Sequence, residues 1–301
     1  MNRRLPLRNA VAASVPWVLA VLVLWSCGGS GSGQHPPTPG PEKDTAAVRP
    51  FVFGEVRTVV SQVLGQERTL NVYLPDGYRD TTLAYPVILV LDGSANEDFP
   101  HIAGLVQFMN MYALLPKSIV VGVANVDRQH DFTPPTGNDS DAVWIPTHGG
   151  ADAFIRFLGE EALPFIDRTY RTNGTRTIVG QSLGGLLCTR MLYERPDLVD
   201  RYVIVSPSLW WNDGELAAQA GAWLHAHPAL SKRVFLAMGS EGADMQAYMD
   251  RFVAGLRSEP QAALRWWYEA FPAESHATLL HRAVYRAFEL LGDGTQPEPV
   301  H

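Results

Sequence analysis

The sequence predicts a mostly parallel, doubly wound α/β sheet that opens with an antiparallel hairpin. Three observations carry this reading. Two β-branched runs, 52–63 and 68–74, are joined through Gly65-Gln66, the pattern of a hairpin. Solid apolar runs then recur at 86–91, 118–126, 177–179, 202–205 and 234–238. Such runs belong to strands covered on both faces. Amphipathic patterns of helical period fall between the later runs.

Each helical segment has its own signal. Over 151–169, Phe154, Phe157, Leu158, Leu163 and Ile166 recur at three- and four-residue offsets or in adjacent pairs, as one buried helix face requires. Segments 183–193, 243–256 and 276–291 behave likewise, and Gly292 stops the last of them. The run 265–271 (RWWYEAF) reads as a final strand nearer a sheet edge. No internal repeat interrupts the alternation, and no linker divides it, so 51–291 reads as one domain.

Composition narrows the function classes. The chain has 301 residues, 46% apolar and 18% charged, ample for a sizeable core. Two cysteines exclude a disulfide scaffold and a multi-cysteine zinc module. A net charge of −7 argues against a nucleic-acid partner, which would require a basic face.

The ends read differently from the middle. Arg3, Arg4 and Arg8 precede a 15-residue, nearly all-apolar run at 11–25, followed by Ser26-Cys27 and a Gly/Ser stretch. The run is shorter than the roughly 20 residues that span a bilayer and suits a signal peptide. The segment 1–27 resembles a bacterial lipoprotein signal, which would make Cys27 the lipid attachment point, although Trp25 departs from the small residue usual there. This implies export to the periplasm or cell surface and a membrane contact through the anchor. Residues 28–50 are expected to form a flexible Gly/Ser/Pro tether, and 292–301 a disordered tail.

The most informative segment is Thr177-Ile178-Val179-Gly180-Gln181-Ser182-Leu183-Gly184-Gly185, which reads as buried strand, sharp turn and helix. A Gly-x-Ser-x-Gly at such a turn projects the serine hydroxyl above the sheet. Small residues two positions either side avoid the neighbouring strand and helix, and the helix N-terminus favours developing negative charge. Ser182 is therefore the candidate nucleophile.

A serine nucleophile requires a base, and the base requires an orienting acid, in the chain order Ser, acid, His for this kind of sheet. Of nine histidines, His276 lies just past the last expected strand at the mouth of the last helix, where a loop can reach back to Ser182. The acid should follow the run 234–238. Glu241 comes first, and Asp244, which can equally cap the next helix, is the alternative. Two backbone donors should bind an oxyanion: the N–H of Leu183 and, in the loop after 86–91, the N–H of Ser94.

Taken together, these segments resemble a known group. Pro86-Val87-Ile88-Leu89-Val90-Leu91-Asp92-Gly93, Asn125-Val126-Asp127-Arg128-Gln129-His130-Asp131-Phe132-Thr133-Pro134, Gly149-Gly150-Ala151-Asp152-Ala153-Phe154, 180–185 and Ser206-Pro207-Ser208-Leu209-Trp210-Trp211 are similar to successive signatures of an esterase family of α/β-hydrolases. That family includes ferric enterobactin and bacillibactin esterases and esterase D-like enzymes. The resemblance covers about 55–290 and implies the α/β-hydrolase fold, a small-molecule ester substrate and a serine esterase without metal or organic cofactor. It also implies that Arg128, Trp210 and Trp211 line the site, Arg128 holding an anionic or catecholate group. Read from the residues alone, the tryptophans equally suit packing, and Arg128 equally suits a pair with Asp131. The acid loop departs from the Gly-x-x-Asp spacing common in the wider superfamily. An acyltransferase on the same fold and a ligand-binding lipoprotein with a dead site remain the alternatives.

Overall fold

The computed structural model describes residues 49–292. The expected signal segment, Cys27, all but the last two residues of the expected tether, and the expected tail from 293 onward lie outside the described residues. Among the described residues eight strands form a single sheet: β1 (Glu55–Ser61), β2 (Gln66–Tyr73), β3 (Tyr85–Val90), β4 (Ile119–Val123), β5 (Thr172–Gln181), β6 (Arg201–Val205), β7 (Arg233–Gly239) and β8 (Arg265–Phe271). Their order is β1-β2-β4-β3-β5-β6-β7-β8. The β1–β2 and β2–β4 pairs are antiparallel, and every other pair is parallel. The doubly wound sheet and its opening hairpin are thus as the sequence predicted.

The helices are α1 (Phe99–Met111), α2 (Arg128–Phe132), α3 (Asp139–Trp144), α4 (Ala151–Phe157), α5 (Leu163–Thr169), α6 (Leu183–Glu194), α7 (Trp211–Ala218), α8 (Ala220–Ala226), α9 (Ala243–Ser258) and α10 (Leu279–Leu291). Successive strand residues serve opposite faces, so the apolar runs are buried twice over. Ile88, Val90, Val203 and Phe235 pack under α1 and α10, whereas Leu89, Val121, Ile204 and Leu236 face the layer containing α4, α6 and α9.

Several local departures have identifiable causes. The expected continuous helix over 151–169 contains a π-helical turn at Leu158–Ala162. Pro164, in the next turn, has no N–H and crowds the carbonyl four residues back, which a wider turn relieves. The β5 strand begins five residues earlier than its apolar run, because pairing with β3 resumes at Thr172, opposite Tyr85, beyond a bulge that holds the exposed Asn173 and Gly174. Gly174, at φ 85°, accommodates the register shift there. The last helix starts at Leu279, so His276 sits in a turn whose Ser275 N–H donates to Thr278 Oγ1 (3.0 Å). Helix α1 has no counterpart in the sequence reading, although Phe99, Ile102, Val106 and Met109 carry its period.

Candidate active site

Parallel strands leave their C-terminal ends and the following loops at one end of the sheet, where side chains from several strands converge. Ser182 lies between β5 and α6 with φ 59° and ψ −120°, a region costly for any residue with a Cβ. Three backbone hydrogen bonds hold it there. Its N–H donates to Val205 O (3.0 Å), and its carbonyl accepts from Ser208 N–H (3.0 Å) and Leu186 N–H (2.9 Å).

The surrounding glycines divide by need. A Cβ on Gly180 would lie 2.4 Å from the Gly184 carbonyl oxygen, so no side chain fits. A Cβ on Gly184 would find its nearest neighbour, Asp92 Oδ2, at an ordinary 3.4 Å. The collision expected two positions after the serine is instead one position later, where a Cβ on Gly185 would approach Pro207 Cα to 2.9 Å. Behind the turn, the Cys188 thiol is fully buried, and burial pushes its pKa up.

Of the two candidate acids, Glu241 meets the histidine: His276 Nδ1 lies 2.6 Å from Glu241 Oε2. The Glu241 side chain is 5% exposed and the imidazole 46% exposed, so the acid is sheltered while the ring faces the opening. The other carboxylate oxygen accepts from the buried Ser206 hydroxyl. Asp244 lies in the first turn of α9, exposed. The acid and histidine loops are stitched together by Ser240 N–H donating to Glu274 O (2.7 Å). Gly239 must lack a Cβ, which would come within 2.9 Å of that same oxygen.

The Ser182 hydroxyl hydrogen-bonds to the buried Ser208 hydroxyl (3.3 Å), and among the described residues no hydrogen bond joins it to His276. Such contacts are often open in an unliganded site and tighten around substrate. Gln181, to which the sequence assigns no role of its own, links the nucleophile turn to the histidine loop. Its side-chain amide donates to the His276 carbonyl, and its own carbonyl accepts from Arg128 Nη2 (3.4 Å).

The loop after β3 differs from expectation. Ser94 N–H donates to Glu97 Oε2 (3.2 Å), so the donor assigned to an oxyanion is engaged. Gly93 passes so close to β4 that a Cβ would lie 2.3 Å from Val123 N. Leu183 N–H, at the first position of α6, has no intrahelical partner.

Arg128 forks onto Asp92, with Nε–Oδ1 at 2.5 Å and Nη2–Oδ2 at 2.8 Å, and the pair joins Asn125 and Glu97. It does not pair with Asp131, which is bound to Arg68 (2.6 Å) in the core. The charge expected to meet an anionic group is therefore already matched by a carboxylate, although the guanidinium remains one-third exposed. Trp211 is 2% exposed and donates through Nε1 to Pro134 O (3.1 Å), so it packs in the core and does not line an opening. Trp210 is only partly buried. Gly150, within the third of the family-like segments, is needed because a Cβ there would lie 2.3 Å from the His130 ring.

Comparison with known proteins adds the following. The family model described as "Putative esterase" matches residues 61–281. The ferri-bacillibactin esterase BesA of Bacillus subtilis is 33% identical over 176 residues, 52% of this chain and 59% of that protein. A siderophore enterobactin esterase of Emericella nidulans is 35% identical over 124 residues, 34% of this chain and 39% of that protein. The chain thus spans less than two thirds of the length of these relatives. Among solved structures, an IroE-like serine hydrolase from Shewanella oneidensis superposes with a TM-score of 0.69 at 26% identity, covering 78% of this chain and 79% of the other. The BES protein from Bacillus cereus shares the fold, with a TM-score of 0.72 at 24% identity over 83% of this chain and 99% of the other.

Proposed function

The chain belongs to this esterase family of α/β-hydrolases, and from that premise we propose that it hydrolyses carboxylic esters through an acyl-enzyme on Ser182. The observation that carries the reading is the sheltered Glu241 held 2.6 Å from His276 Nδ1, at the same end of the sheet as the strained Ser182 turn. With Nδ1 facing the carboxylate, Nε2 is the nitrogen that exchanges protons. Ser182 Oγ attacks the ester carbonyl carbon while His276 Nε2 takes its proton. The carbonyl π-electron pair moves to oxygen, and the tetrahedral oxyanion accepts a hydrogen bond from Leu183 N–H. Collapse expels the alcohol, protonated by His276. Water then repeats the sequence on the acyl-enzyme and releases the acid.

For Ser94 to supply the second oxyanion donor, its N–H must exchange Glu97 for the substrate. The relatives point to siderophore esters, with other acylated small molecules the wider class. Purified protein should turn over p-nitrophenyl acetate and be labelled by a fluorophosphonate probe, and Ser182→Ala should lose both. An unchanged rate in that variant would sink the reading. The N-terminal sequence supports a second part of the proposal, in which lipid on Cys27 tethers the enzyme outside the cytoplasm. Under it, Cys27→Ala moves the protein from the membrane to the soluble fraction, and retention of the variant in the membrane would argue for another anchor.

A further inference from the structure

A groove of about 690 Å³ opens at the same end of the sheet, between α3, the Trp210 segment and the start of α9. Its walls include Trp144, Ile145, Trp210, Met245 and Tyr248. We infer that this groove is the acyl subsite and takes an uncharged aryl or bulky apolar acyl group. The inference rests on the esterase reading and extends it to the class of substrate.

Position is the first argument. Trp210 is two residues beyond Ser208, whose hydroxyl is 3.3 Å from that of Ser182. Two residues of chain reach about 7 Å, so the wall begins on the order of 10 Å from the nucleophile, within the span of an arylalkanoyl group. Orientation is the second. The base must face the leaving oxygen, and His276 stands on the open side, 46% exposed. The alcohol therefore departs toward solvent, and the acyl group is left to the walled side along Ser208 and Trp210.

Chemistry is the third. Three aromatic rings among the lining residues offer faces and edges to a planar group, which gains more from them than its area alone provides. Among the described residues, the only charged ones in the lining are Asp141 and Asp244. Asp141 is committed to the fold, its Oδ2 accepting from Asn212 N–H (2.7 Å). With no cation in the lining, an anionic acyl group entering the groove would lose hydration without a partner.

The test compares kcat/KM for p-nitrophenyl 3-phenylpropanoate, p-nitrophenyl acetate and the p-nitrophenyl monoester of succinate. The phenylpropanoate should exceed the acetate by about tenfold to a hundredfold, as burial of one aromatic side group implies. The succinate ester should gain nothing over acetate. In Trp144→Ala and Tyr248→Ala the phenylpropanoate-to-acetate ratio should fall toward one. Trp144 is 79% exposed, so its truncation leaves the core intact. A wild-type ratio near one, or a ratio that both variants leave unchanged, overturns the proposal. So does a preference for benzyl acetate over ethyl acetate that the variants abolish, which would put the alcohol in the groove. Absence of all ester turnover would instead sink the esterase reading. Binding of neutral 3-phenylpropanamide, followed by tryptophan fluorescence, would then decide the groove alone: binding weakened about tenfold in Tyr248→Ala supports it, and equal binding rejects it.

Discussion

Gln181 touches both halves of the site, with its carbonyl under Arg128 and its amide on the His276 carbonyl. Its amide holds the histidine loop, so its loss should misplace the His276 ring while leaving substrate affinity alone. Gln181→Met keeps the length and removes the donor, and kcat should fall about tenfold, the worth of one neutral hydrogen bond. KM and the thermal midpoint should hold, and a parallel rise in KM would mean that the residue serves binding instead. Glu241→Gln removes the carboxylate 2.6 Å from His276 Nδ1 and, under the proposed mechanism, should lower kcat by roughly 10³- to 10⁴-fold. Asp244→Asn should cost far less, since the structure gives Asp244 no contact with the ring. The strained turn at Ser182 and the meeting of His276 with Glu241 were legible because a local motif and chain order single these residues out. Gln181, Ser206 and Ser208 were not, because their partners lie 95, 35 and 26 residues away. Trp211 failed for a related reason: its sequence neighbours say nothing about which of two adjacent indoles turns inward.

The elements were legible where burial is two-sided and continuous, as in β3, β6 and β7, whose apolar runs admit no other reading. They were less so where a helix is short or its period is diluted. Asn110 interrupts the apolar stripe of α1, and α2 and α3 have only five and six residues. The least foreseeable feature is the clamp between β2 and α2. Arg68 is fully buried, paired with Asp131 at 2.6 Å and set over the rings of Phe154 and Phe157. Alternation in a strand marks which side chain points inward but not that a charge will do so. Removing one partner of a buried pair strands the other charge, so Asp131→Ala should destabilise the fold by about 3–5 kcal/mol. The Arg68→Met, Asp131→Leu double variant keeps the volume and removes both charges. Its urea midpoint should return much of the way to wild type, and a double variant as unstable as Asp131→Ala would mean that the pair itself holds β2 to α2.

At the scale of the whole molecule, acids outnumber bases by 31 to 24, and several of them crowd the loop after β3. Within it Asp98 is pushed up to about 6, first by burial and then by the charges of Asp92 and Glu97. An unfolded aspartate titrates near 3.9. As pH falls from 7 toward 4, the folded protein therefore takes up a proton at Asp98 that the unfolded chain does not yet bind. This group's contribution to stability is full below the unfolded pKa and is lost as pH rises through about 6. Glu97 and Asp197 act in the opposite sense. Burial raises the Glu97 pKa less than hydrogen bonds from Ser94 and Asn125 lower it, and Arg195 holds Asp197 down. Both lend stability at neutral pH that disappears in acid. The wild-type profile mixes these trends, and Asp98→Asn separates them. The amide cannot ionise, so the variant's urea midpoint should exceed the wild type's at pH 7.5, and the difference should shrink as the buffer approaches pH 4.5. A difference that stays constant across that interval would mean that Asp98 ionises in the folded protein as it does in the unfolded chain, and that the crowded loop places no electrostatic load on the fold.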